Sequence, residues 1–278
     1  MSGQRRTMTS DGTPGDLSRR NLLRGTALIA GGALIGGAHV ATAGAALAAP
    51  QPTIYARSAW SARPPTSAAT VLATPPTYIV VHHTATANST NYTQAHAFSL
   101  SRSIQNYHMD SNGWADTGQQ LTISRGGYIM EGRNRSLPAI RAGDQVVGAH
   151  VANYNNVAVG IENEGLYTSA TPTTALYNSL VATCAWLCTV YNRPTSAIIG
   201  HRDLNATACP GDRLYAMLPQ LRRDVGARLA ATGLAALRGA DLAAHELPPY
   251  PATPRAGRTT PFEHGPALGS RDPNHATG

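Results

Sequence analysis

The chain has 278 residues, of which 42% are apolar and 13% charged, with a formal net charge of +7. The apolar share supports a sizeable core, and the low charge excludes a polyelectrolyte-like disordered protein. All 22 cations are arginine; beyond residue 48 there remain 17 against 13 acids, a mildly basic balance with no run of the kind that marks a nucleic-acid-binding arm.

The first feature along the chain is an export signal. Residues 18–24 read Ser-Arg-Arg-Asn-Leu-Leu-Arg, a weakly apolar stretch runs from Gly25 to Leu47, and Ala46-Leu47-Ala48 forms a small-x-small cleavage site. The paired arginines and the modest hydrophobicity of the stretch after them mark residues 1–48 as a twin-arginine signal peptide. Six glycines and His39 in the apolar stretch weaken membrane spanning, so no stable insertion is expected after cleavage. The expected location is extracellular or bound to a cell wall.

Residues 49–75 are rich in Pro, Ala and Ser and read as an extended lead-in, with Trp60 as a packing anchor. Tyr78-Ile79-Val80-Val81 is a continuous β-branched and aromatic run, the pattern of a buried strand. Thr90 or Asn91 can cap a helix to about Met109. Residues 120–123 and 128–130 flank Arg125-Gly126-Gly127 and predict a hairpin. Residues 157–161 form a second buried run. Pro172 opens a helix to about Tyr191, residues 197–199 a short strand, and residues 211–232 a helix interrupted near Pro219. From residue 239 the pattern fails: the last 40 residues hold 7 prolines and read as a disordered tail. The predicted fold is an α/β single domain, over about residues 76–238, with a central sheet and helices packed on it.

Three places carry chemistry. His82-His83 ends the strand 78–81, His201-Arg202-Asp203 follows the strand 197–199, and Cys209 lies eight residues beyond His201. One His from the pair, His201 and Cys209 offer two imidazoles and a thiolate, which leaves the fourth tetrahedral position open, as catalytic zinc requires. Cys184 and Cys188 are four apart on a predicted helix, a poor disulfide geometry. Cys209 is then an unpaired thiol in an exported chain, which a metal explains.

The blocks Val81-His82-His83-Thr84-Ala85-Thr86, Gly113-Trp114-Ala115-Asp116-Thr117-Gly118, Gly148-Ala149-His150 with Tyr154-Asn155, Gly160-Ile161-Glu162-Asn163-Glu164-Gly165, and His201-Arg202-Asp203 with Cys209-Pro210-Gly211-Asp212 stand in one order and spacing. Together they resemble the superfamily of zinc-dependent N-acetylmuramoyl-L-alanine amidases and peptidoglycan recognition proteins, over about residues 75–225. The resemblance implies a mixed β-sheet flanked by helices, with Zn2+ at the floor of a surface groove. It assigns His82 rather than His83, His201 and Cys209 as ligands. It also implies hydrolysis of the amide between the lactyl group of N-acetylmuramic acid and L-alanine, in peptidoglycan or muropeptides.

Many members carry a Tyr where this chain has Gln119, and an amide cannot act as a base. The match to bacterial anhydro-muropeptide amidases offers Glu162 as general base instead, with Glu164 as partner or substitute. By the same resemblance Thr207 stands near the developing oxyanion. His150, His83, Thr84 and Asn155 are implied to line the groove. Where the family often has Gly-Trp this chain has Asn134-Arg135, and the guanidinium groups of Arg133 and Arg135 are candidates for binding stem-peptide carboxylates. The expectation is a monomeric amidase with no nucleic-acid partner. The alternatives are a recognition module that binds without cutting, favoured by Gln119, and a structural zinc domain, which would need a fourth protein ligand.

Overall fold

The structure is a computed structural model that describes residues 49–234. The expected signal peptide (1–48) and tail (239–278) lie outside the described residues, as does 235–238 of the expected domain. Among the described residues no helix is long and apolar enough to cross a membrane.

Among the described residues eight strands occur: β1 (Ile54–Tyr55), β2 (Val71–Leu72), β3 (Tyr78–His83), β4 (Leu121–Ile123), β5 (Ile129–Glu131), β6 (Gln145–Val146), β7 (Ala158–Asn163) and β8 (Ile198–Gly200). Five helices join them: α1 (Gln94–Asn106), α2 (Ser136–Ala142), α3 (Thr174–Tyr191), α4 (Asp212–Ala216) and α5 (Leu218–Ala231). Six strands make one mixed sheet in the order β1-β5-β4-β7-β3-β8, parallel throughout except between β4 and β5. β2 and β6 form a separate antiparallel pair.

Strand side chains alternate between faces. One face sends Ile79, Val81, Ile161, Leu121 and Ile198 into the main core with Leu180 and Leu187 of α3 and Val225 of α5. The other face carries Val80 and His82 on β3 and Ala158, Gly160 and Glu162 on β7. A smaller apolar cluster built on Val80, Val151 and Ala158 lies there. The sheet thus has one apolar face for stability and one that presents polar side chains.

The helices start one cap later than their sequence signals. Thr93 caps α1, its hydroxyl accepting from His96 N at 3.3 Å, while Asn91 is spent on Thr93 N at 3.1 Å. The helix then widens into a π-helical turn, Tyr107–Ser111. Thr173, after Pro172, caps α3 through Leu176 N at 3.2 Å. Cys184 and Cys188 are both buried in the core, without a disulfide. Pro219 falls in the first turn of α5, where its missing N–H breaks no hydrogen bond, so the expected interruption becomes a boundary between α4 and α5.

The stretch 49–75, expected as an extended lead-in anchored by Trp60, contributes two short strands to the domain. β1 pairs with β5 and β2 with β6, and fully buried Trp60 donates its indole N–H to Glu131 O at 2.9 Å. Two-residue strands leave no periodicity for a sequence reading to detect. Polar groups lock this segment. Asp116, fully buried, accepts from Arg57 Nη1 (3.1 Å), Gln105 Nε2 (2.8 Å), Asn134 N (2.8 Å) and Asn134 Nδ2 (2.9 Å). One carboxylate therefore ties together the N-terminal segment, α1 and the turn before α2. Removing one member of such a buried charge pair strands the other. Asp116→Ala should lower unfolding free energy by about 3–5 kcal/mol, read by urea denaturation, with little change in the slope.

Candidate metal centre

The register of β3 against β7 builds the site. His82 stands opposite Glu162, and Thr122 of β4 opposite Glu162 on its other side. These three lie side by side on the polar face, because each pairs directly with the next. β8 pairs with the other edge of β3, so the turn after Gly200 delivers His201 beside His82, with ring centroids 4.6 Å apart. The loop from His201 returns through Cys209, whose carbonyl accepts from Arg202 N at 3.1 Å. Arg202 braces this loop: its guanidinium bonds Ala208 O and Asp212 (2.7 Å) and lies over the Tyr215 ring.

His82, His201 and Cys209 are each fully buried, and one ligand atom from each lies within 4.8 Å of the others. Cys209 Sγ is 3.6 Å from His82 Nδ1. Zn–S and Zn–N bonds of roughly 2.3 and 2.0–2.1 Å at a tetrahedral angle put the two donors about 3.6 Å apart. His201 Nε2 meets Asn205 Oδ1 at 2.9 Å and His82 Nε2 meets His150 Nδ1 at 3.0 Å, so each ring has its Nε2 engaged by a protein partner.

Charge makes the same case. Burial pushes the Glu162 carboxyl well above its ordinary value and does the same to the Cys209 thiol, which Glu162 raises further. Two acids this close and this buried need a cation to ionise together. Glu162 Oε2 and Gln119 Oε1 are buried without a hydrogen-bond partner, and so is Arg133 Nε. A buried carboxylate oxygen without a partner, next to His82 in the sheet, calls for an explanation that a bound ligand would supply. The donor set therefore fits a divalent, thiolate-tolerant ion such as zinc, with three protein ligands.

The remaining expected site residues divide. Thr207 is buried beside the centre, its hydroxyl accepting from Cys209 N at 3.2 Å. His150 is buried behind His82, and Asn155 behind His150, its Oδ1 accepting from His150 N at 2.8 Å. Burial, with His201 and Arg133 nearby, pushes His150 down to about 3, so the ring is neutral. His83 projects to the opposite face of the sheet from His82, as adjacent strand residues must. Its ring is buried and Nδ1 accepts from Tyr167 N at 3.2 Å; burial lowers it to about 3. The expectation that it faces substrate is corrected on that geometry, and it cannot serve as a fourth ligand. Thr84 is fully buried, accepting from Gly165 N at 2.9 Å. Arg135 is exposed at the turn before α2, donating to Ala69 O at 3.0 Å, and stands among groups near the β2–β6 pair. Glu164 is no substitute base: one oxygen meets His96 Nε2 at 2.6 Å and the other accepts from Arg125 N at 2.6 Å.

Sequence reasoning missed Asn205 and the burial of Arg133. Asn205 sits four residues after His201, a spacing that brings side chains together in a helical turn and was the available signal.

Comparison with known proteins places these features in a family. Residues 72–212 match the family model described as N-acetylmuramoyl-L-alanine amidase. The human N-acetylmuramoyl-L-alanine amidase is 35% identical over 172 residues, 60% of this chain but 28% of that protein. The chain thus spans less than a third of that relative. Peptidoglycan-recognition protein SC2 of Drosophila melanogaster is 36% identical over 169 residues, 59% of this chain and 83% of the relative. Among solved structures, Drosophila PGRP-LB superposes with a TM-score of 0.52 at 29% identity, covering 60% of this chain and 92% of that one. Peptidoglycan recognition protein-LE, solved in complex with tracheal cytotoxin, a monomeric diaminopimelic acid-type peptidoglycan, gives 0.51 at 29% identity over 60% and 92%. The fold, the blocks and the matches agree: this chain belongs to the N-acetylmuramoyl-L-alanine amidase family, within the superfamily that includes the peptidoglycan recognition proteins.

Proposed function

We propose that the protein is a zinc-dependent amidase that cleaves the bond between N-acetylmuramic acid and L-alanine in peptidoglycan or muropeptides. The observation that carries this reading is a buried, unpartnered carboxylate, Glu162, directly beside a His-His-Cys cluster. A binding module has no use for such an acid, whereas a hydrolase needs a base there.

His82, His201 and Cys209 would hold the ion. Zinc in such a site supplies Lewis-acid polarisation of a carbonyl and a competent nucleophile at neutral pH. Glu162 takes the proton of the attacking water and returns it to the departing L-alanine nitrogen. Its carboxyl, which burial disposes toward holding a proton, is the group that would carry that proton between the two steps. Thr207 supplies a hydroxyl donor for the developing oxyanion, its oxygen already oriented by Cys209 N. Gln119 replaces the family's usual Tyr and is turned onto Thr122 Oγ1 at 2.9 Å. That substitution favours the second reading, recognition of muropeptides without cleavage.

Residues 1–48 support export by the twin-arginine route, to the exterior or the cell wall. That route carries folded proteins, so the ion would be loaded before export. The protein is proposed to act as a monomer, without a nucleic-acid partner.

Two measurements check this. The first is metal loading. One Zn2+ per chain is expected, and saturation at about 100 times Kd should add about 2.7 kcal/mol of stability. In a domain of this size that raises Tm by about 5–10 °C, an increment that Cys209→Ala should lack. The second is hydrolysis. Zinc-loaded protein should release free stem peptide from muropeptides, detected by mass spectrometry. Glu162→Gln should cut the rate by about 10²–10⁴ while metal binding persists. Muropeptide binding without any release by the parent protein would support the recognition module instead.

A further inference from the structure

We propose that His150 is a positioning residue for the metal centre: through its hydrogen bond it fixes the tautomer and the ring plane of His82. The inference rests on the zinc reading and deepens it.

The assignment rests on what each atom can do. At the far end of the chain of contacts stands Ala158 O, 3.3 Å from His150 Nε2. A carbonyl oxygen only accepts, so His150 Nε2 carries the hydrogen. In a neutral imidazole the other nitrogen then accepts. That nitrogen, His150 Nδ1, is 3.0 Å from His82 Nε2, so His82 donates from Nε2. The lone pair of His82 is left on Nδ1, the atom 3.6 Å from Cys209 Sγ. A backbone carbonyl thus writes the ligand tautomer of His82 into the protein through an intervening imidazole. The two rings meet edge to face, at 85° with centroids 5.0 Å apart.

His150 is itself tightly placed. Asn155 Oδ1 accepts from both His150 N (2.8 Å) and Val151 N (3.0 Å). Two glycines flank the ring. A Cβ at Gly160 would lie 2.6 Å from His150 Nδ1, and one at Gly148 would lie 2.5 Å from its Cδ2. Gly160 occupies the polar-face position of β7 between Ala158 and Glu162, so the ring fills the space a side chain there would take. Its backbone N–H is drawn to Gln120 Oε1 at 2.6 Å. The imidazole is buried, with both nitrogens engaged by protein partners.

The test uses the full chain and reads Zn2+ affinity by competition with a chromophoric chelator, beside the visible absorption of the Co2+-substituted protein. His150→Leu keeps the bulk but removes both hydrogen bonds, and should weaken Zn2+ binding about 10–100-fold. His150→Gln, whose amide can accept from His82 and donate to Ala158, should stay close to the parent and keep its Co2+ spectrum. Gly160→Ala displaces the ring without altering its chemistry. It should weaken binding and shift the Co2+ bands, and it tests the idea from the backbone if His150→Leu does not fold. Parent-like affinity in both His150→Leu and Gly160→Ala overturns the inference, as does an equal loss in His150→Gln and His150→Leu. A change confined to KM for muropeptide also overturns it, because that outcome returns His150 to the substrate. A parent protein that takes up no Zn2+ overturns the zinc reading first, and the inference with it.

Discussion

The pairing of β3 with β7 is the constraint on which the rest depends. Because side chains alternate with period two, a slip of one residue would exchange the two faces of a strand. In the observed register His82 and Glu162 share a face, while Val81 and Ile161 share the other. A shift would bury the acid in the apolar core and turn Ile161 outward. The hydrophobic requirement of the core face and the chemical requirement of the polar face therefore select the same alignment. The core is large on the α3 and α5 side and smaller on the other. Most of the energy that holds the register comes from residues that do no chemistry.

Burial of the centre has an electrostatic consequence. Burial holds both the Glu162 carboxyl and the Cys209 thiol back from ionising, Glu162 adding to the effect at Cys209, and His150 and His83 are held neutral. Without a cation the cluster is a set of protonated or uncharged groups in a poorly solvated place. A dication reverses that logic for the thiol and the carboxyl together. The same desolvation that makes the site costly when empty makes each charge interaction stronger once an ion is present.

The sequence already carried the central strands, the three long helices and the His-His-Cys spacing. Each rests on a strong local signal: continuous β-branched runs, helical periodicity with a nearby cap, or, for His201 and Cys209, two ligand types close together in the chain. What it did not carry are features without local signature. β1, β2 and β6 are two residues long, and the helix α2 is capped by Glu131, whose Oε1 accepts from Leu137 N at 2.7 Å, rather than by an ordinary N-cap. The groove residues inherited from the resemblance illustrate another gap. Position in a motif places His150, Asn155 and His83 near the centre. It does not say whether a side chain faces solvent, supports a ligand or crosses to the opposite side of the sheet.

The order of the strands along the chain has a further meaning for how the molecule comes together. β8 joins the middle of the sheet by pairing Ile79 with Ile198, and His201 and Cys209 come directly after it. Early contacts are few: β1 waits for β5, and β3 waits for β7. Such long-range pairing slows folding, because loop closure must precede the contacts that reward it. As the chain leaves the ribosome, His82 emerges long before its two companions, His201 and Cys209. The proposed metal triad is therefore a coincidence detector for a finished sheet, complete only when β8, the last described strand, has docked against β3.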